Sequence, residues 1–190
     1  MTDNANEHQQ TSLPVFATMV GEINQASAAS LTRSVSLMTQ NGFPELHLLL
    51  QSTGGTVSEG VYLYNFLRLM RIKTHIYNVG SIASAAALLY LGASSRIASQ
   101  HSTFMIHRPQ SPSQGGNSPY LAAATESLAL DDRRMDAIVR KHLTLSDERW
   151  RVYEHNYLWL SAEDALASGM ATAIGDFAPP IGASVFVFGA

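Results

Sequence analysis

The sequence predicts an α/β fold, because short apolar runs of strand type alternate with longer stretches of helical periodicity. Its 190 residues are enough for one sizeable core, and no repeat or internal linker marks a second domain. Residues 1–13 are polar and read as a flexible tail, which leaves 14–190 as a single folded domain.

The elements follow in order along the chain. VFATMV (15–20) is an apolar run of strand type closed by Gly21. From Ala26, apolar residues recur near helical spacing through Val35 and Met38 and stop at Asn41-Gly42. ELHLLLQS (45–52) reads as a buried strand between Pro44 and a glycine pair, and a helix is expected over 58–70. THIYNV (74–79) is the next strand, punctuated by Gly80; NVGSIASAAALLYLG (78–92) then runs as an apolar helix to Leu91. RIAS (96–99) and TFMI (103–106) are two short strands. The Pro-, Gly- and Ser-rich 108–119 is a loop, and a long helix is expected over 120–142, with Leu121, Leu128, Met135, Ile138 and Val139 on one stripe. His142 would close that helix with a charge suited to its dipole. Ser146 caps a helix ahead of Arg149, 161–170 is a short helix ended by Gly169, and 183–190 is a strand-like tail.

Composition narrows the function. Charged residues make up only 14%, against roughly 25% in ordinary domains, which favours a surface partly covered by other copies of the chain. A net charge of −3 gives no electrostatic case for nucleic acid or an anionic membrane. With no cysteine there are no disulfides, thiolate nucleophiles or cysteine metal sites. No histidine pair has zinc-type spacing, so no metal or other cofactor is expected. The polar N-terminus lacks the order of a signal peptide, and a cytoplasmic protein is expected.

Four segments could carry chemistry. STGGT (52–56) follows a buried strand, and its glycines let backbone approach a ligand or offer N–H groups to an oxyanion. GSIAS (80–84) places serines between a strand and a helix, where they would cap the helix or act as nucleophile; it lacks the second glycine of the G-x-S-x-G elbow. MIHRP (105–109) ends a strand in a histidine, the usual general base for a serine. EHNYLWLSAEDALASGMA (154–171) runs from an apolar strand into a small-residue helix.

In order and spacing, STGG, GSIAS, MIHRP and LSAEDA (160–165) resemble the proteolytic subunit of Clp protease, over about 15–175. The resemblance implies the ββα spiral shared with crotonases, the long helix forming a protruding handle through which two seven-membered rings stack. The loop 110–117 would border the substrate groove. The resemblance assigns Ser84 as nucleophile, His107 as its base and the N–H groups of Gly55 and Ala85 as the oxyanion hole. The substrate would be a peptide or unfolded protein. Thr53 and Ile82 stand where the family has proline and alanine. Tyr157 falls at the triad aspartate, or, with one inserted residue, Asn156 takes that place as third member; Glu154 and Asp176 are the other acids considered. The family's partner is a AAA+ ATPase, and the short polar stretch before VFATMV argues against reliance on one. Two other readings follow: a non-catalytic ring subunit paired with an active paralogue, and a crotonase-type acyl-CoA enzyme.

Overall fold

The computed structural model describes residues 13–110 and 115–188; the expected tail apart from Leu13 lies outside them, as does the middle of the expected groove loop. The chain opens with β1 (Val15–Val20), α1 (Gln25–Gln40), β2 (Glu45–Ser52), α2 (Val57–Leu69) and β3 (Lys73–Ala83). It continues with α3 (Ala85–Leu91), β4 (Ser95–Ala98), β5 (Thr103–Ile106) and the long α4 (Ser118–His142). α5 (Asp147–His155), β6 (Leu158–Ser161), α6 (Ala162–Ser168), β7 (Ala173–Ile174) and β8 (Val185–Phe188) complete it.

One sheet joins all the strands in the order β6-β5-β3-β2-β1-β8, with β4 paired to β3 and β7 to β4. Every pair is parallel except β5–β6. β3 forks: His75–Asn78 pair with β4, and Ser81–Ala83 pair with β5. The fully buried Asn78 holds the fork, donating to Thr103 O at 2.8 Å and accepting from Gly80 N–H at 3.1 Å. This divided pairing winds the sheet into a spiral.

Alternate residues of β1, β2 and β3 are buried, so one face of the sheet carries the core and the other is partly open. Leu46, Leu48 and Leu50 face a core that includes Leu31 and Val35 of α1, Leu63 and Leu67 of α2, and Met135 and Val139 of α4. All seven residues of α3 are buried, as suits a helix that is apolar all round. Gly60 lets α2 approach it: a Cβ there would stand 2.7 Å from Ala85 O.

Three elements depart from the sequence expectations. β3 runs through Gly80 to Ala83, and α3 begins only at Ala85, because 81–83 are claimed by pairing with β5. The expected stripe on α4 is buried only from Met135 onward, and Leu121 is 44% exposed, so the first half of the helix projects from the body. The two-residue β7 has too little pattern to be legible in sequence.

His142 also differs from its expected role. Its Nε2 lies 3.0 Å from the Tyr64 hydroxyl, and burial, reinforced by Arg96, Arg68 and Lys141, pushes its pKa down from 6.5 to about 4. The neutral ring shares a hydrogen bond with the Tyr64 hydroxyl and adds no charge to the helix end. Because the folded-state pKa is the lower one, the unfolded chain binds more protons between pH 6.5 and about 4. Stability from this ring is present above pH 6.5 and is lost as pH falls through about 4. In urea titrations across that window, His142→Gln should lose less stability on acidification than the wild type.

Candidate active site

Three C-terminal strand ends converge at one place. β2 delivers the Ser52–Gly55 turn, β3 delivers Ser84 and β5 delivers His107. Parallel strands bring such ends to one rim of the sheet, where loops are free to carry chemistry.

Ser84 stands between β3 and α3 with φ 53° and ψ −127°, the one non-glycine residue with positive φ among the described residues. Such a conformation costs on the order of 1–3 kcal/mol and persists only where surrounding structure enforces it. The enforcement is visible on both sides. Ser84 N–H donates to Met105 O at 2.8 Å, which extends the β3–β5 ladder by one step. Gly54 lies against the turn: a Cβ there would come within 2.6 Å of Ser84 Cβ and 2.7 Å of Ala83 O. Although Ser84 occupies the N-cap position of α3, its hydroxyl makes no capping bond. It lies instead 2.9 Å from His107 Nε2.

His107 is one residue past β5. Its Nδ1 lies 2.6 Å from Arg108 O, so Nδ1–H donates to that carbonyl and Nε2 is left to accept the Ser84 proton. Arg108 reaches toward α4, with Asp132 and Asp136 each 3.9 Å from its guanidinium. These ion pairs are long and partly exposed, so their contribution is orientation more than energy.

The third position departs from expectation. The β5–β6 ladder pairs Ile106 with Leu158 antiparallel, and one more step sets His107 opposite Tyr157. The Tyr157 ring meets the imidazole edge-on at 5.0 Å between centroids, and its hydroxyl donates to Gln110 Oε1 at 3.2 Å. Asn156 does not take the aspartate's place against His107. It ends α5, and its Oδ1 accepts from Tyr157 N–H at 2.8 Å. Glu154 pairs with Arg140 instead. The Arg108 carbonyl, invisible in sequence because every residue has one, occupies His107 Nδ1.

The glycine turn is tied to the segment after β1. Ile23 N–H donates to Gly54 O and Thr56 N–H to Ile23 O, both at 2.8 Å. A Cβ on Gly55 would stand 2.2 Å from Ile23 O, and one on Gly54 would stand 3.1 Å from Ala85 N. Gly54-Gly55 and the start of α3 are therefore neighbours. The Ala85 N–H belongs to the first turn of α3, where backbone donors have no partner within the helix. A cavity of about 430 Å³ adjoins Gly55, lined also by Ile23, Gln110, Leu128 and Asp131.

The sequence model of the Clp protease family matches residues 14–177. This chain belongs to the Clp protease family. It is 25% identical over 162 residues to the ATP-dependent Clp protease proteolytic subunit 2 of Pseudomonas aeruginosa, covering 84% of this chain and 79% of that one. With subunit 3 of Rhizobium meliloti it shares 24% over 172 residues, 90% of this chain and 86% of the relative. An asparagine-to-aspartate mutant of ClpP1 from Listeria monocytogenes has the same fold, with a TM-score of 0.74 at 20% identity over 86% of this chain and 91% of that chain. The Clp protease fold expected from the sequence is thus the one observed, in a divergent member of the family.

The backbone strain at Ser84 has a measurable consequence. Ser84→Ala retains the strain, whereas Ser84→Gly relieves it, both without the hydroxyl. The glycine variant should be the more stable of the two by about 1 kcal/mol, or roughly 2–4 °C in Tm for a domain of this size. Calorimetry on the two variants gives the comparison, and an alanine variant at least as stable as the glycine one would contradict it.

Proposed function

We propose that this Clp-family chain is a serine peptidase that cleaves peptides or unfolded proteins through an acyl-enzyme. The carrying observation is the 2.9 Å contact between Ser84 Oγ and His107 Nε2, made by a serine whose backbone is forced into the left-handed region. Ser84 Oγ attacks the peptide carbonyl as its proton passes to His107 Nε2, and His107 returns that proton to the departing amine. Water then attacks the ester by the same route and frees Ser84. The Gly55 and Ala85 N–H groups hold the oxyanion. The cavity beside Gly55, reaching to the first half of α4, is where the flanking substrate chain would lie.

The carbonyl of Arg108 serves as the orienting group for the base. It is an acceptor only, so it enforces the Nδ1–H tautomer that a general base needs, whereas an asparagine amide could present either a donor or an acceptor. It carries a dipole and not a full charge, so it stabilises the imidazolium less than a carboxylate does. That deficit favours a second reading, a ring subunit of low intrinsic activity that depends on an active paralogue. Assembly into stacked rings is supported by apolar residues exposed on the projecting half of α4: Leu121 at 44% and Leu130 at 48%. The relatives are named ATP-dependent, which supports a AAA+ ATPase as partner, and the family resemblance supports a cytoplasmic setting; among the described residues no helix is long and apolar enough to cross a membrane.

A serine-directed fluorophosphonate should label the wild type at Ser84. Ser84→Ala should not be labelled, and His107→Ala should be labelled at least about 10³-fold more slowly. Equal labelling of all three, or of none, would overturn peptidase action by this chain alone. Labelling of the wild type only after addition of a second Clp-like subunit would establish the paralogue-dependent reading.

A further inference from the structure

A second cluster of chemically able side chains lies on the open face of the sheet, toward the starts of β2 and β3. Glu45 and His47 are two apart on β2 and so share a face, and His75 is the register partner of His47 on β3. The two imidazoles stack with centroids 4.5 Å apart and planes 15° from parallel. Phe16 of β1, in register with His47, stacks on its other side at 4.9 Å. The Tyr77 hydroxyl lies 2.9 Å from His47 Nδ1. Both rings are therefore fixed, with each Nε2 lying 3.6 Å from the same oxygen, Glu45 Oε2.

That spacing is too long for a hydrogen bond. It is close to the ~3.4 Å that separates two ligands of one tetrahedral Zn²⁺ with bonds of about 2.1 Å. One donor atom from each of the three residues lies within 4.8 Å of the other two. His75 Nε2 is buried and has no hydrogen-bond partner, a condition that folded proteins largely avoid. Glu45 Oε1 faces Lys73 Nζ at 3.8 Å, which leaves Oε2 turned to the rings. The Tyr77 contact on Nδ1 is the outer support that metal-bound histidines commonly have, and it leaves His47 Nε2 facing Glu45.

We propose that Glu45, His47 and His75 form a binding site for one divalent transition-metal ion of the Zn²⁺ class, with water completing the coordination. Two imidazoles and one carboxylate select Zn²⁺, Co²⁺, Ni²⁺ or Cu²⁺ over Mg²⁺ and Ca²⁺. Side-chain exposures of 34% for Glu45, 18% for His47 and 20% for His75 leave the site reachable from solvent. The ion would cross-link β2 to β3 on the face opposite the helices, away from the Ser84 end of the strands. The sequence pattern could not reveal it, because His47 and His75 lie on different strands.

The test uses the full chain, freed of metal with a chelator and titrated with ZnCl₂ by calorimetry and with CoCl₂ by absorption. One ion per chain should bind, Co²⁺ should develop visible bands of a low-coordinate site, and Tm should rise with Zn²⁺ concentration. Glu45→Gln and His75→Gln should each weaken binding by at least about tenfold, while His155→Gln should leave it unchanged. Glu45 is half-buried on an open face, so Glu45→Gln carries the test if His75→Gln does not fold, as judged by far-ultraviolet circular dichroism. No stoichiometric binding by the wild type, or undiminished binding by Glu45→Gln, would overturn the proposal.

Discussion

Everything at the candidate site depends on holding Ser84 in a backbone conformation that serine does not favour. The conformation lifts the hydroxyl out of the capping position and aims it at His107. Local sequence cannot enforce this, since the residue at such a turn would otherwise relax. Enforcement comes from outside the turn, through the ladder bond to Met105 O and the close approach of Gly54. Beyond the turn, α3 is buried on every side and cannot shift to relieve it. Strain of about 1–3 kcal/mol is thus held by a core that includes the least exposed helix in the protein.

The fork in β3 gives this arrangement its geometry. A strand that paired along its whole length with one neighbour would place Ser84 beyond the reach of β5. By leaving β4 at Asn78 and joining β5 from Ser81, the strand brings Ser84 beside Met105 and hence next to His107. At the crossing the buried Asn78 side chain supplies backbone partners, donating to Thr103 O and accepting from Gly80 N–H. Asn78→Ala would remove both bonds at the point where β3 changes partner, a few residues before Ser84.

Much of the fold was legible in the sequence, and for a physical reason. Buried parallel strands such as ELHLLLQS must be short and apolar, and helices such as 25–40 must carry a periodic apolar stripe. The pairing of Ser84 with His107 was legible only through the resemblance carried by STGG, GSIAS and MIHRP together, since each motif alone left its residue a structural role. What escaped was set by tertiary contacts. Residues 80–83 look helical by apolarity but are strand, because β5 claims their backbone. Asn156 looked able to orient His107, yet the antiparallel β5–β6 register brings Tyr157 to the ring instead. A backbone carbonyl at His107 Nδ1 has no sequence signature at all.

The two ends of the same strands divide the labour differently. At the C-terminal ends, parallel strands terminate in turns, and the groups displayed there can adopt unusual backbone and meet a substrate. Toward the N-terminal ends, side chains stand in register on a rigid lattice, with neighbours about 4.8 Å away across the ladder. That spacing suits rings that stack and donor atoms that converge, as Phe16, His47 and His75 do. A stacked ladder of this kind cannot move to accept a reacting substrate, but it can hold several lone pairs at one point without further reorganisation. The same parallel sheet therefore places a strained serine beside a histidine at one rim and a fixed ladder of converging donor atoms toward the other.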